Sequence, residues 1–266
     1  MNIRTRGLRT VATAIAVATT VAAGSAVAMP TISFDLLEAR WENGVGASVN
    51  YTPGGGGYSN GPVSASWGVS TGLGQSSYVF DARDTPFLEE ADQAFYLGQF
   101  KHYNMPIQAP FLTSIDLRLR GDLTVTNFSG VDELFSNVQF VFEFKHWETP
   151  NSDDPCANGG ANGSGINKYG CADRVTIESL PGNEVFTVDG DMITMEIIGF
   201  GLGHNPTTIV DEFWTKEKKK NKAKLYAFFS ATPGGGSTSM REPAALGLFG
   251  LGLIALGAAV RRRKPA

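Results

Sequence analysis

The chain has 266 residues, of which 42% are hydrophobic and 18% charged, and its formal net charge is −4. That length can bury a substantial core, in one large domain or two small ones. Its 32 Gly are about 12% of the residues, against a usual roughly 7%, and its charge is below the usual roughly 25%, which does not suit a helical bundle or a coiled coil. A negative chain with no basic face is no nucleic-acid binder, and 17 Phe exclude full disorder.

Residues 1–28 read as a secretory signal. Arg4, Arg6 and Arg9 form a positive start, an Ala/Val-rich run follows from Val11 to Val27, and Ala26-Val27-Ala28 is a small-x-small cleavage site. Residues 29–232 then predict an antiparallel β-sandwich or jelly-roll-like single domain. Ile115, Leu117 and Leu119 alternate with Asp116, Arg118 and Arg120. Val138, Phe140, Phe142 and Phe144 share one face of a second strand, and Ile193, Met195 and Ile197 one face of a third. Phe95–His102 reads as a strand, and Leu225–Phe229 as a buried one. Turns are expected at Thr52–Gly57, Gly121-Asp122, Asn158–Gly170, Pro181–Asn183 and Asp189–Asp191.

Several local patterns touch on chemistry. Gly68-Val69-Ser70-Thr71-Gly72 has the letters of a nucleophile elbow, but no helical pattern follows, so a chance match is expected. Glu89-Glu90 and Asp153-Asp154 read as solvated carboxylate pairs. His102, His146 and His204 are isolated in sequence. His102 and Asn104, two apart on an extended strand, face the same side. They can hydrogen-bond a ligand jointly or pin a neighbouring loop, with Pro106 ending the strand; the second reading is preferred. Cys156 and Cys171, the only cysteines, suit a disulfide in an exported chain. Asn151, Asp153, Asp154 and Asp173 could offer oxygens to calcium, but their spacing is not that of an EF-hand, and an Asx-rich surface turn is expected instead. Six lysines between Lys216 and Lys224 read as a charged hairpin tip, with Asn221 helping the turn. At least three of Trp41, Trp67, Trp147 and Trp214 are expected in the core. No catalytic residue, metal or cofactor is expected.

Residues 233–240 form a Gly/Ser linker. The chain then runs through Arg241-Glu242-Pro243 into Ala244–Val260, 17 residues without a charge, followed by Arg261, Arg262, Arg263 and Lys264. A helix of that length spans roughly 25 Å, near the lower limit for a bilayer, and the four cations hold its end in the cytoplasm. Residues 29–240, between the two ends, carry 14 Lys/Arg and 25 Asp/Glu, a net −11 that makes the body acidic. Residues 241–266 resemble the PEP-CTERM sorting signal of exported proteins in Gram-negative, polysaccharide-producing bacteria, with Glu242 and Pro243 matching and Arg241 in place of the first Pro. The resemblance implies an exosortase-type processing enzyme as partner. It also implies membrane attachment through helix 244–260 during sorting, then a place on the cell surface or outside the cell.

The body carries a second resemblance. Lys101-His102-Tyr103-Asn104, followed by Met105-Pro106-Ile107, is similar to the signature of the THxN family of PEP-CTERM proteins, with Lys101 where that signature has Thr. Trp67-Gly68, His146–Asn151 and Gly170–Asp173 are further similar pieces. The expected function is that of a non-enzymatic surface or extracellular-matrix protein. The alternatives are a carbohydrate-binding module for extracellular polysaccharide, which needs exposed aromatic residues, and a secreted hydrolase. The hydrolase needs His102 or His146 to converge with an acid or Ser in a cleft.

Overall fold

A computed structural model describes residues 29–54, 57–179, 185–202 and 208–233. The expected signal at 1–28, the turn at 181–183, His204, the linker from 234 onward, the sorting motif and the helix at 244–260 lie outside these residues. Among the described residues there are sixteen strands, no α-helix, and no helix long and apolar enough to cross a membrane.

The strands, numbered in chain order, build two curled antiparallel sheets. In the first, the spatial order is β15 (Glu212–Thr215), β11 (Asp173–Ser179), β10 (Asp132–Trp147), β9 (Ser114–Thr126), β1 (Thr31–Val45) and β6 (Phe87–Glu90). In the second, the order is β12 (Val185–Val188), β13 (Asp191–Gly201), β16 (Lys219–Thr232), β7 (Ala94–Asn104), β5 (Ser76–Ala82), β3 (Val63–Trp67) and β2 (Asn50–Thr52), with β14 (Ile209–Val210) also on β13. A two-residue pair joins β4 (Val69–Ser70) to β8 (Ile107–Gln108).

Period-two patterning explains the strands. Along β9 the apolar members Ile115, Leu117, Leu119, Leu123 and Val125 are buried. Arg118 and Arg120 of the same strand point outward to Glu42 and Glu38 of β1, and Tyr58 lies beneath the Arg40 and Arg120 guanidinium groups at 4.6 and 4.2 Å. The inner faces of both sheets feed a single apolar cluster. At its centre Trp41 of β1 packs on Tyr78 of β5 (5.6 Å between ring centroids) and on Phe144 of β10 (5.1 Å). Phe100 of β7 stacks on Phe144 at 5.3 Å. Each such side chain contributes roughly 1.5–3 kcal/mol through burial, which makes this aromatic seam the main cohesion between the sheets.

Three sequence expectations are corrected. Gly121-Asp122 is not a turn but the middle of β9. A Cβ on Gly121 would lie 2.7 Å from the Leu36 carbonyl oxygen, and the partner strands β1 and β10 bulge beside it, at Phe34/Leu36 and Phe135/Val138. Glycine here permits a close backbone approach rather than a chain reversal. The lysine cluster is not a hairpin tip either. The chain turns at Glu217-Lys218, where Lys218 has φ 56°, and crosses from β15 in one sheet to β16 in the other. Lys219, Lys220, Lys222 and Lys224 then lie along β16, paired with β7. Asn221 does brace the crossing, accepting from Lys216 N–H at 2.8 Å and donating to Lys216 C=O at 2.9 Å. Third, only Trp41 and Trp67 are core residues. Trp147 is 44% exposed and Trp214 half-buried. The reversal at Asp189-Gly190 lies where expected: both residues have positive φ (48° and 90°), the two-residue turn whose twist suits a β-hairpin.

Candidate functional site

The even-numbered inward series of β10, from Val138 through Phe144, ends on His146, and that of β7, Phe100-His102-Asn104, ends on two polar residues. Both series run out at the same end of the core. There β5 supplies Tyr78, β11 begins with Asp173, β15 ends on Thr215, and the segments leaving β10 and β15 supply Glu148, Thr149 and Glu217. Thr149, Asp173, Thr215 and Glu217 are all buried, and the Glu148 side chain is only 7% exposed. A polar cluster therefore closes an otherwise aromatic core.

One half of the cluster is a clamp. Thr215 has a single hydroxyl proton, which it donates to the Asp173 carbonyl at 3.2 Å. It must therefore accept from His102 Nδ1 at 2.9 Å, so His102 carries its proton on Nδ1 and a lone pair on Nε2. Asn104 Nδ2 donates to the Thr215 carbonyl at 3.0 Å. The pair thus pins β15 across 111 to 113 positions of sequence. His102 stacks on Trp67 at 5.8 Å and meets the Tyr78 ring edge-on at 4.9 Å. Burial, then the neighbouring His146, holds its pKa well below 6.5. Lys101 lies on the opposite face of the strand, beside Asp81 at 3.4 Å.

The other half carries charge. His146 Nδ1 lies 2.6 Å from the Tyr78 hydroxyl and its Nε2 lies 3.3 Å from Glu148 Oε2. Asp173 accepts from the Thr149 N–H on Oδ1 at 2.7 Å, while its Oδ2 is buried without a hydrogen-bond partner. Burial brings the His146 pKa down to about 4, against a small pull from Asp173. It raises Glu148 to about 7. It also raises Asp173 well above the carboxylate range, with Glu148 adding to the effect and His146 and the Thr149 N–H opposing it. Glu217 is raised to about 7 by burial and by Glu148, although Asn151 and Lys218 face it. Tyr78 is pushed well above 10 by burial and by the Asp173 and Glu148 charges. Three carboxyl groups thus share a pocket with two neutral imidazoles. A cleft of about 310 Å³, lined by Ile107, Phe111, Glu148, Thr149, Pro150 and Asn151, reaches Glu148 from outside.

The remaining sequence-level candidates fall elsewhere. Ser70 is exposed on β4, and its hydroxyl accepts from the Gly72 and Gly74 N–H groups at 3.1 and 3.0 Å in a turn, with no helix following. Glu89 pairs with Arg83, and Glu90 is exposed. Cys156 and Cys171 form a disulfide across a 15-residue separation. From that loop Asn162 reaches back to the segment before Cys156: its N–H donates to Asp154 and its Nδ2 to the Asn151 and Asp153 carbonyls, as in an Asx-rich turn. Of that group Asp173 enters the cluster and Asn151 borders it, facing Glu217. Sequence reasoning named His146 and Asp173 separately but missed their meeting, as well as the parts played by Tyr78, Glu148 and Glu217. The period-two series ending on His146 was the available signal.

A second feature lies on the outer face of the first sheet. Trp147, Arg174 and Trp214 sit side by side on β10, β11 and β15, in register. The Arg174 guanidinium lies 5.0 Å from one indole and 5.9 Å from the other, and it pairs with Glu212 at 3.1 Å.

Compared with known protein families, residues 242–264 match the PEP-CTERM protein-sorting motif. The motif implies exosortase-dependent, membrane-associated sorting of an exported protein, with processing by exosortase. The match begins at Glu242, one residue after Arg241, and covers the C-terminal tail alone. No curated protein matches the chain.

Proposed function

We propose that this chain is a non-enzymatic, exosortase-sorted protein of the cell surface or extracellular matrix that holds polysaccharide on the outer face of an antiparallel β-sandwich. The signal peptide at 1–28 and the membrane helix at 244–260 belong to this reading, as does membership of the THxN group, which the His102/Asn104 pair and Pro106-Ile107 support. The observation that carries the reading is the Trp147–Arg174–Trp214 row. Indole faces stack on the apolar faces of sugar rings, and a guanidinium held beside the pair offers donors to ring hydroxyls or acidic substituents. The row is built on three adjacent, paired strands, whose register sets its spacing.

The test is native affinity electrophoresis of the exported protein through gels containing soluble glucan, galactan or alginate. Retardation by at least one polysaccharide is expected, and Trp147→Ala combined with Trp214→Ala should abolish it while shifting the melting temperature by no more than a few degrees. Unretarded wild-type protein, or unchanged retardation of the double variant, contradicts the reading. Cell fractionation with an antibody to the body should place the protein at the surface or in the medium.

One observation favours a second reading. His146 converges with Glu148 and Asp173 beside a cleft, the arrangement a secreted hydrolase requires. Turnover of chromogenic esters or glycosides that is lost in Glu148→Gln would establish it in place of the first.

A further inference from the structure

The clamp half of the cluster accounts for His102, Asn104 and Thr215, but the other half is not explained as packing. Burying several carboxyl groups beside one another costs free energy unless positive charge meets them. Here the groups facing Glu148 and Asp173 are Glu217, His146, Tyr78 and the Thr149 N–H, and Lys218 faces Glu217. One ligand atom each from His146, Glu148 and Asp173 lies within 4.8 Å of the others, and no other trio of His, Cys, Asp or Glu among the described residues does so.

We propose that His146, Glu148 and Asp173 form a binding site for one divalent transition-metal cation of the zinc class. Several independent features of the geometry support this. Asp173 is wholly buried, its Oδ2 has no partner, and its Oδ1 is held by the Thr149 N–H, so the carboxylate is oriented with one oxygen left to ligate. His146 can present Nε2 to the cation while Nδ1–H donates to the Tyr78 oxygen at 2.6 Å, the outer support that metal-bound imidazoles require. Tyr78 in turn is fixed by the Trp41 and Trp67 rings at 5.6 and 4.7 Å. An imidazole with two carboxylates selects zinc and its first-row neighbours over calcium or magnesium, which prefer all-oxygen shells. Three protein ligands leave a fourth position, and the cleft beside Glu148 gives an entry path to it. The cation would also bring positive charge to Glu148 and Asp173, whose carboxyl groups lie side by side. Its binding releases any protons that Glu148 and Asp173 carry.

The exported full chain, purified without a histidine tag and stripped with EDTA, should bind one equivalent of ZnCl₂ in calorimetric titration. Its melting temperature should rise with zinc and not with CaCl₂. Glu148→Gln and Asp173→Asn should each weaken zinc binding by at least about 100-fold, and Tyr78→Phe by about 10- to 100-fold. Without metal, Asp173→Asn should melt no lower than wild type, because a carboxyl group crowded by Glu148 and Glu217 is removed while the Thr149 hydrogen bond is kept; a purely structural aspartate would melt lower. Glu148, at the cleft, carries the test should Asp173→Asn fail to fold. No saturable zinc binding by folded wild-type protein, calcium binding in preference to zinc, or equal zinc binding by wild type and Glu148→Gln would overturn the proposal.

Discussion

His102→Ala is expected to lower the unfolding free energy by about 3–5 kcal/mol, measured by urea denaturation of the exported protein. Two losses add. The ring is fully buried against Trp67 and Tyr78, so truncation leaves a cavity of aromatic size. Its Nδ1–H is also the donor to the Thr215 hydroxyl, and without it that buried oxygen loses a partner at the point where β15 is tied to β7. Asn104 still holds the Thr215 carbonyl, so β15 should loosen rather than detach. Zinc binding and polysaccharide retention, measured where the variant remains folded, should persist. A variant of unchanged stability that had lost binding would instead make His102 a ligand-contacting residue.

Cys156→Ser with Cys171→Ser is expected to cost about 3 kcal/mol, the loop-closure entropy of a 15-residue loop. The effect should reach the cluster. The loop between the cysteines packs Asn167 inside, where its Oδ1 accepts from the Ala172 N–H, and Ala172 C=O accepts from the Thr149 hydroxyl. Thr149 and Asp173, the residues on either side of this junction, are joined by the 2.7 Å bond that orients the Asp173 carboxylate. Opening the loop should therefore weaken zinc binding as well as lower the melting temperature, and reductant alone should reproduce both effects on the wild type. Loss of stability with zinc affinity unchanged would separate the loop from the site.

Much of this architecture is written in local pattern. The alternation over Ile115–Arg120 and Val138–Phe144 identifies strands and their inward faces; continuing the second series by two residues places His146 inside, and continuing Phe100-His102 on β7 does the same for Asn104. The same rule read one residue further puts Trp147 outside, and Phe213 and Thr215 inward leave Trp214 on the outer face. Counting tryptophans as core by type alone overrides that alternation, which is why at least three were expected inside and only two are. Beyond the inward position of His146, the convergence of the charged groups had no comparable signal. Asp173 meets His146 because β11 pairs with β10, and Thr215 meets Asp173 because β15 pairs with β11. Strand order in a sheet is set by long-range pairing that leaves no periodic mark on either segment. The Lys216–Lys224 run misled for a related reason: two strands joined by a short turn ordinarily form a hairpin, whereas here the second strand joins the opposite sheet. Gly121-Asp122 misled because a glycine that admits a bulged neighbour and a glycine that reverses the chain have the same letter.

With the cation in place, the polar end of the core is built around it. Crystals of the exported protein grown with zinc, with data collected on either side of the zinc absorption edge, test this arrangement most directly. A single anomalous peak is expected about 2.0–2.2 Å from His146 Nε2, a Glu148 oxygen and Asp173 Oδ2. A peak coordinated by other residues, or well-ordered His146, Glu148 and Asp173 side chains with no peak among them, would contradict it.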